Sequence, residues 1–413
     1  MKISRWPGYR GTLADVFSGR ANSFGLLRTI LAVAVVVSHM YPLGWGTLEP
    51  LAHLSRNQSD LGKIAVVGFF VISGFMITGS GLRTTIGRYA WHRALRILPG
   101  FWVSLAVSAL VIAPLLYRWQ YGSADAFWTA GGGPRHYLEG AWNLSMSNGY
   151  DVAGLTSGAV NAGLLHHTGL NGVLWSLPYE IMCYIVIGLL AAGGALRNAR
   201  RTVPLMALAL WILMLRDWIT APLWTGGGPV DTKLWVRLPL LGDQLQGFLV
   251  YLGFTFLLGA TFRLYRDRLP VSDSLAALCA VVAGVSLHWG GFFVLGYPAI
   301  AYLLLWLAVR LPRAFHRVGS KRDFSYGIYV YGFTVEQALT MLGYAKHGHA
   351  VYLALALAGT VVLAALSWYV VESPMMRLKD WTPWPVRRLK AVAARGSEPV
   401  VIPHQQERPP LRV

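Results

Sequence analysis

The sequence predicts an all-α polytopic membrane protein of about ten transmembrane helices with both termini cytoplasmic. Three observations carry that reading. The 413 residues are 55% hydrophobic and only 13% charged, with a mean hydropathy of +0.47, far from a soluble globular composition. About ten stretches reach the roughly 20 mostly apolar residues that a hydrocarbon core about 30 Å thick requires. The basic residues gather in alternate connections between those stretches.

The stretches fall near 24–43, 61–80, 97–116, 173–193, 203–220, 244–262, 273–289, 291–309, 323–343 and 350–371. The first follows a basic N-terminus, but it runs for about 20 residues and ends in YPLGWG without a small-residue cleavage site, so it reads as an uncleaved helix and not as a signal peptide. The third is followed by a polar connection, 117–172, rich in Gly, Asn and Ser and long enough to form a lid or an acceptor-binding surface. A shorter connection of the same style covers 221–243, and only Gly290 and Gly291 separate the seventh and eighth stretches. The organisation expected is a basic N-terminal segment 1–23, a membrane domain 24–376 and a tail 377–413 whose Pro, Arg and Gln content predicts disorder. No internal repeat stands out, which counts against transporter folds built from duplicated halves.

With an even number of helices and the N-terminus inside, 27 of the 36 Lys and Arg residues lie on the cytoplasmic side and eight outside, while Arg28 falls within the first helix. The net charge of +18 is spread in short clusters at helix ends, which excludes a duplex-binding surface and favours anionic lipid headgroups or an anionic cytosolic cofactor as partners. Cys183 and Cys279 both fall inside apolar stretches, so neither a disulfide framework nor a metal site is expected.

Five constellations place polar chemistry inside these stretches. Arg28 and His39 are eleven residues apart, about 20° around a helix and roughly 16 Å along it, so they share one face at different depths. Each has an ordinary reading, a hydrogen-bonded neutral imidazole for His39 and a snorkelling end residue for Arg28. Buried polar groups of this kind otherwise mark a protein interior or a water-filled cavity. Arg93 and Arg96, in YAWHRALRILPGF, form one cationic patch suited to phosphate, or simple positive-inside flanking. Glu180, in WSLPYE, lies at a depth comparable to that of His39 and so is placed to orient its imidazole. Ser73 and Gly74 make a small-residue notch in GFFVISGFMITG that close helix packing alone explains. Ser325, Tyr329, Gly332 and Glu336 line one polar face of the ninth stretch.

Taken in series, RTILAVAVVVSH, GFFVISGFMIT, RALRILP, WSLPYE, SYGIYVYG and VESP resemble integral-membrane acyltransferase family 3, over roughly residues 24–376. The resemblance implies a ten-helix enzyme that draws acyl groups from cytosolic acyl-coenzyme A, most often acetyl-coenzyme A, and O-acylates bacterial glycans or small molecules at the inner membrane. It implies His39 and Glu180 as catalytic residues and Arg28, Arg93 and Arg96 as donor-binding residues. Substrate contact is expected from Ser73, Trp175, Tyr329 and Glu336, and no metal. One position departs from the pattern. Gly332 stands where the family usually has histidine, and Glu336, one turn further on, is the expected replacement. A transporter or flippase of a lipid-linked glycan, a translocator that passes the acyl group to another protein, and a non-catalytic scaffold are the rival readings.

Overall fold

The computed structural model describes residues 8–17, 19, 21–145, 151–156, 169–220, 235–238, 241–320 and 322–381. Each of the ten apolar stretches forms a helix. These are α1 (Phe24–Gly44), α2 (Leu61–Gly81), α3 (Ile86–Val107), α4 (Leu177–Ala192), α5 (Thr202–Thr220), α6 (Gln246–Leu264), α7 (Asp273–Trp289), α8 (Tyr297–Arg310), α9 (Ser325–Met341) and α10 (His349–Ser367). Among the described residues eight helical segments are long and apolar enough to cross a membrane, and α7 and α9, at 17 residues each, fall just short. The only sheet there consists of two short antiparallel ribbons, Tyr9–Thr12 with Pro270–Ser272 and Trp235–Leu238 with Gly242–Leu245. The protein is an all-α polytopic membrane protein.

Two boundaries differ from the sequence expectation. The third helix begins at Ile86, eleven residues early, and continues through a π turn at Ser108–Ile112 to Tyr121. Hydropathy discounts its first turns because they carry Arg88, Arg93 and Arg96, yet residues 86–96 hold no proline and only one glycine, Gly87 in the first turn, so the backbone stays helical. Arg93 and Arg96 therefore project from the body of a helix and not from its end. Between α7 and α8, Gly290 (φ +116°) and Gly291 (φ +75°) take backbone conformations that L side chains resist, and this pair makes the break that hydropathy alone leaves open. The tail beyond 381 and parts of the 117–172 and 221–243 connections lie outside the described residues.

At the centre, α2 packs along α6, with α1 on its other side; α9 in turn lies between α1 and α10. The α2–α6 seam is a contact of backbones. A Cβ at Gly74 would stand 1.9 Å from the Phe256 carbonyl oxygen, and one at Gly259 would stand 2.1 Å from that of Val71. The notch foreseen at Ser73 and Gly74 thus serves packing through its glycine, while Ser73 on the adjacent face is left for the interior. Gly74→Ala is expected to force the two helices apart and destabilise the protein by about 1–3 kcal/mol or more. Thermal unfolding in detergent, compared with Ser73→Ala as the neighbouring control, measures it.

Candidate active site

Among the described residues, two cavities in the bundle gather most of the predicted site residues. The first is lined by all three expected donor arginines, Arg28 on α1 and Arg93 and Arg96 on α3, together with Ser73, Glu180 and Tyr326. The second, about 390 Å³, lies towards the other end of α1 and is lined by His39, Glu49, Asp60, Lys63, Trp175 and Phe248. Tyr329 of α9 and Val66 of α2 line both, so a tyrosine ring and an isopropyl group form the partition between them. The Tyr329 hydroxyl is fixed there, 2.5 Å from Ser176 Oγ and donating to the Val173 carbonyl at 3.0 Å. The Arg-to-His face predicted on α1 therefore runs from one cavity to the other.

The three arginines are not equivalent. Arg96 Nη2 lies 2.7 Å from Asp323 Oδ2 and its Nη1 lies 3.1 Å from Glu372 Oε2, while Arg28 Nη2 reaches the same Asp323 oxygen at 3.0 Å. Ser325 donates to the other Asp323 oxygen at 2.6 Å and Ser367 to the other Glu372 oxygen at 3.2 Å, completing a buried network that ties α1, α3, α9 and the turn after α10. Arg93 forms no ion pair among the described residues, and its buried Nε has no hydrogen-bond partner. It alone presents an unengaged guanidinium to the first cavity.

Glu180 lies in this arginine cavity and not in that of His39. Its Oε1 accepts from Ser73 at 3.0 Å and from Tyr184, one turn on along α4. The orienting contact with the imidazole expected from their similar depth is therefore not what its hydrogen bonds make. Depth along the bundle is legible in sequence, but the direction a side chain takes around a helix with unknown neighbours is not.

His39 packs edge-on against Phe333, with ring centroids 5.1 Å apart. Its Nδ1 is buried and unpartnered, and Nε2 is the nitrogen open to the second cavity. Trp175 stands beside Phe248 in the same cavity, rings 4.6 Å apart. Glu336 is fully buried with both carboxylate oxygens unpartnered and lines neither cavity. At Gly332 a Cβ would meet Val36 Cγ2 at 2.7 Å, so this position faces α1 and any larger side chain there would have to displace Val36.

Asp323 and Glu372 escaped the sequence reading, although Glu372 lies in the quoted VESP and Asp323 begins the ninth stretch. The available signal was the scarcity of acidic residues, 18 against 36 basic ones, which makes any carboxylate beside an apolar stretch a counterion candidate. Glu49 and Asp60 were also missed. Asp60 caps α2 by accepting from the Lys63 N–H at 2.6 Å, a Ser-Asp start signal before an apolar run, while Glu49 accepts from the Leu61 N–H. Burial pushes the Glu49 carboxyl above its ordinary pKa, with the Leu61 hydrogen bond acting against it.

Comparison with known proteins decides the family. The family description "Acyltransferase domain", that of acyltransferase family 3, matches residues 22–371. The chain belongs to acyltransferase family 3. It is similar to the O-acetyl transferase of Shigella phage Sf6, with 27% identity over 360 residues, covering 86% of this chain and 95% of the relative. It is also similar to Nodulation protein 10 of Rhizobium leguminosarum bv. viciae, with 28% identity over 385 residues, covering 88% of this chain and 95% of the relative. No solved structure matches the chain. This family 3 member is a multi-pass membrane O-acyltransferase.

Proposed function

We propose that the protein transfers an acetyl group from cytosolic acetyl-coenzyme A to a hydroxyl of an envelope or secreted glycan at a bacterial inner membrane. The single observation that carries this reading is the pair of cavities meeting at Tyr329, one lined by arginines and the other by the open nitrogen of His39. With the orientation expected from the distribution of basic residues, the arginine cavity faces the cytosolic side. There Arg93, the guanidinium without a carboxylate partner, binds phosphate or pyrophosphate of the donor, and Arg28 and Arg96 add positive potential while held by Asp323 and Glu372.

The acyl end of the donor reaches the Tyr329 partition, and the acceptor enters from the His39 side. His39 Nε2 accepts the hydroxyl proton as the oxygen attacks the thioester carbonyl. The carbon–sulfur bond breaks, the acyl–oxygen bond forms, and the thiolate of coenzyme A leaves and takes up a proton. The alternative in which His39 first carries the acetyl group uses the same nitrogen and the same partition. Glu180, held by Ser73 and Tyr184, lies on the donor side and positions the acyl-bearing arm.

The test is release of coenzyme A from acetyl-coenzyme A by the protein in liposomes, with and without cell-envelope glycan extract. Glycan-stimulated thiol release supports the reading; labelled glycan crossing the bilayer with no thiol released from any acyl donor replaces it with the transporter. In the same assay Arg93→Ala is expected to raise the KM for acetyl-coenzyme A about 10- to 100-fold, the worth of one charge-assisted hydrogen bond of about 1.5–3 kcal/mol, with thermal stability unchanged.

A further inference from the structure

We infer that the His39 cavity is a preformed subsite for one neutral pyranose ring of the acceptor, with Trp175 and Phe248 as its platform and Glu49 as the residue that excludes acidic sugars. The inference rests on the proposed function and adds to it the class of acceptor. At about 390 Å³ the cavity has the size of an ordinary small-ligand site and is far smaller than a polysaccharide chain, so it takes one unit with its neighbours outside. Trp175 and Phe248, 4.6 Å apart and tilted by 44°, give an angled apolar wall of the kind that the C–H face of a sugar ring covers. The same lining carries polar side chains, Ser38, Glu49 and Asp60, whose oxygens can accept from hydroxyl groups. His39 borders the same space, so a ring on the platform brings a hydroxyl to the nitrogen that must accept its proton.

The charges choose among sugars. Among the described residues the lining has a single cationic side chain, Lys63, which is engaged 3.0 Å from Asp60. Glu49 makes no ion pair among the described residues; the charge of Lys63, already paired with Asp60, acts on it only through space, and Glu49 is anchored through its hydrogen bond from Leu61 at the start of α2. A uronate entering this cavity meets two carboxylates and no free counterion, whereas a neutral sugar loses nothing. The wall itself is fixed. Ser55 Oγ donates to the Ser59 carbonyl at 2.6 Å, and Asp60 caps α2, so the 45–60 connection presents these groups without having to order first.

The experiment is saturation-transfer NMR of the full chain in nanodiscs with methyl glucopyranoside, methyl rhamnopyranoside, methyl galactopyranoside and methyl galactopyranosiduronate as probes. At least one neutral pyranoside is expected to bind about tenfold or more tightly than the uronoside. Trp175→Ala and Phe248→Leu are expected to weaken that binding about tenfold each. Glu49→Gln keeps an oxygen to accept from Leu61 and removes the charge, so it is expected to narrow the neutral-over-acidic preference with little change in neutral binding. Equal binding of the uronoside, binding indifferent to Trp175→Ala, or no binding of any neutral pyranoside overturns the inference. Thiol release measured on the same preparations separates the two readings. If it persists while the pyranosides fail, the subsite is wrong and the donor reaction stands; if it is absent too, the proposed function fails first.

Discussion

His39→Ala is expected to lower glycan-dependent turnover about 10²- to 10⁴-fold, the usual worth of a positioned base, and to leave donor affinity near that of the native chain. The split follows from the partition. His39 lines the cavity with Trp175 and Phe248, while Arg28, Arg93 and Arg96 line the other side of Tyr329, so removing the imidazole takes nothing from the arginine cavity. His39 makes no hydrogen bond among the described residues and its Nδ1 has no partner, so the loss of the ring breaks no network and the fold should survive. Measured together, acetyl-coenzyme A binding and turnover distinguish this from a structural defect, in which both fall. Intact-mass analysis of the native chain after rapid acid quench then separates the two chemical roles. An acetylated protein lost in His39→Ala indicates an acyl carrier, and an unmodified protein whose variant recovers rate with added imidazole indicates a base. If His39→Ala turns over like the native chain, the second cavity is not where transfer occurs.

The fold was legible because its signals are one-dimensional. Apolar length places ten helices, and each is present, since a backbone in hydrocarbon has few other ways to satisfy its N–H and C=O groups. The Arg28-to-His39 face was legible for a similar reason, because both residues ride on one helix whose geometry fixes their relation. What the sequence leaves open is every relation between helices. Nothing local says that Arg28 and Arg96 converge on Asp323, that Glu180 turns to Ser73 and Tyr184, or that Glu336 is buried away from both cavities. The glycine at 332 shows the same limit from the other side. As a motif position it reads as a lost histidine, while in the bundle it is the place where α9 comes within a side chain's width of Val36 on α1. Arg93 and Arg96 form one patch by spacing, and only the positions of the carboxylates divide them into one ligand-ready arginine and one structural arginine.

That division makes a second large effect calculable. Arg96→Ala is expected to destabilise the protein by about 3–5 kcal/mol, because it removes one partner of a buried ion pair and strands the other. The Glu372 side chain is 2% exposed, and after the substitution its only remaining bond among the described residues is from Ser367; Asp323 keeps Arg28 at 3.0 Å. The cost therefore comes from Glu372 more than from Asp323, and this has a measurable consequence. Arg96→Met combined with Glu372→Gln removes both charges at once and fills much of the space, so it should recover most of the lost stability, since replacing a buried pair by uncharged side chains is often nearly neutral. Arg93→Ala, which leaves no carboxylate unpaired, should unfold close to the native temperature while losing donor affinity. Thermal unfolding and acetyl-coenzyme A titration of the three variants in one detergent thus set stability against binding residue by residue. If Arg96→Ala melts with the native chain while Arg93→Ala does not, the carboxylates at 323 and 372 do not hold Arg96, and the assignment of the two arginines must be exchanged.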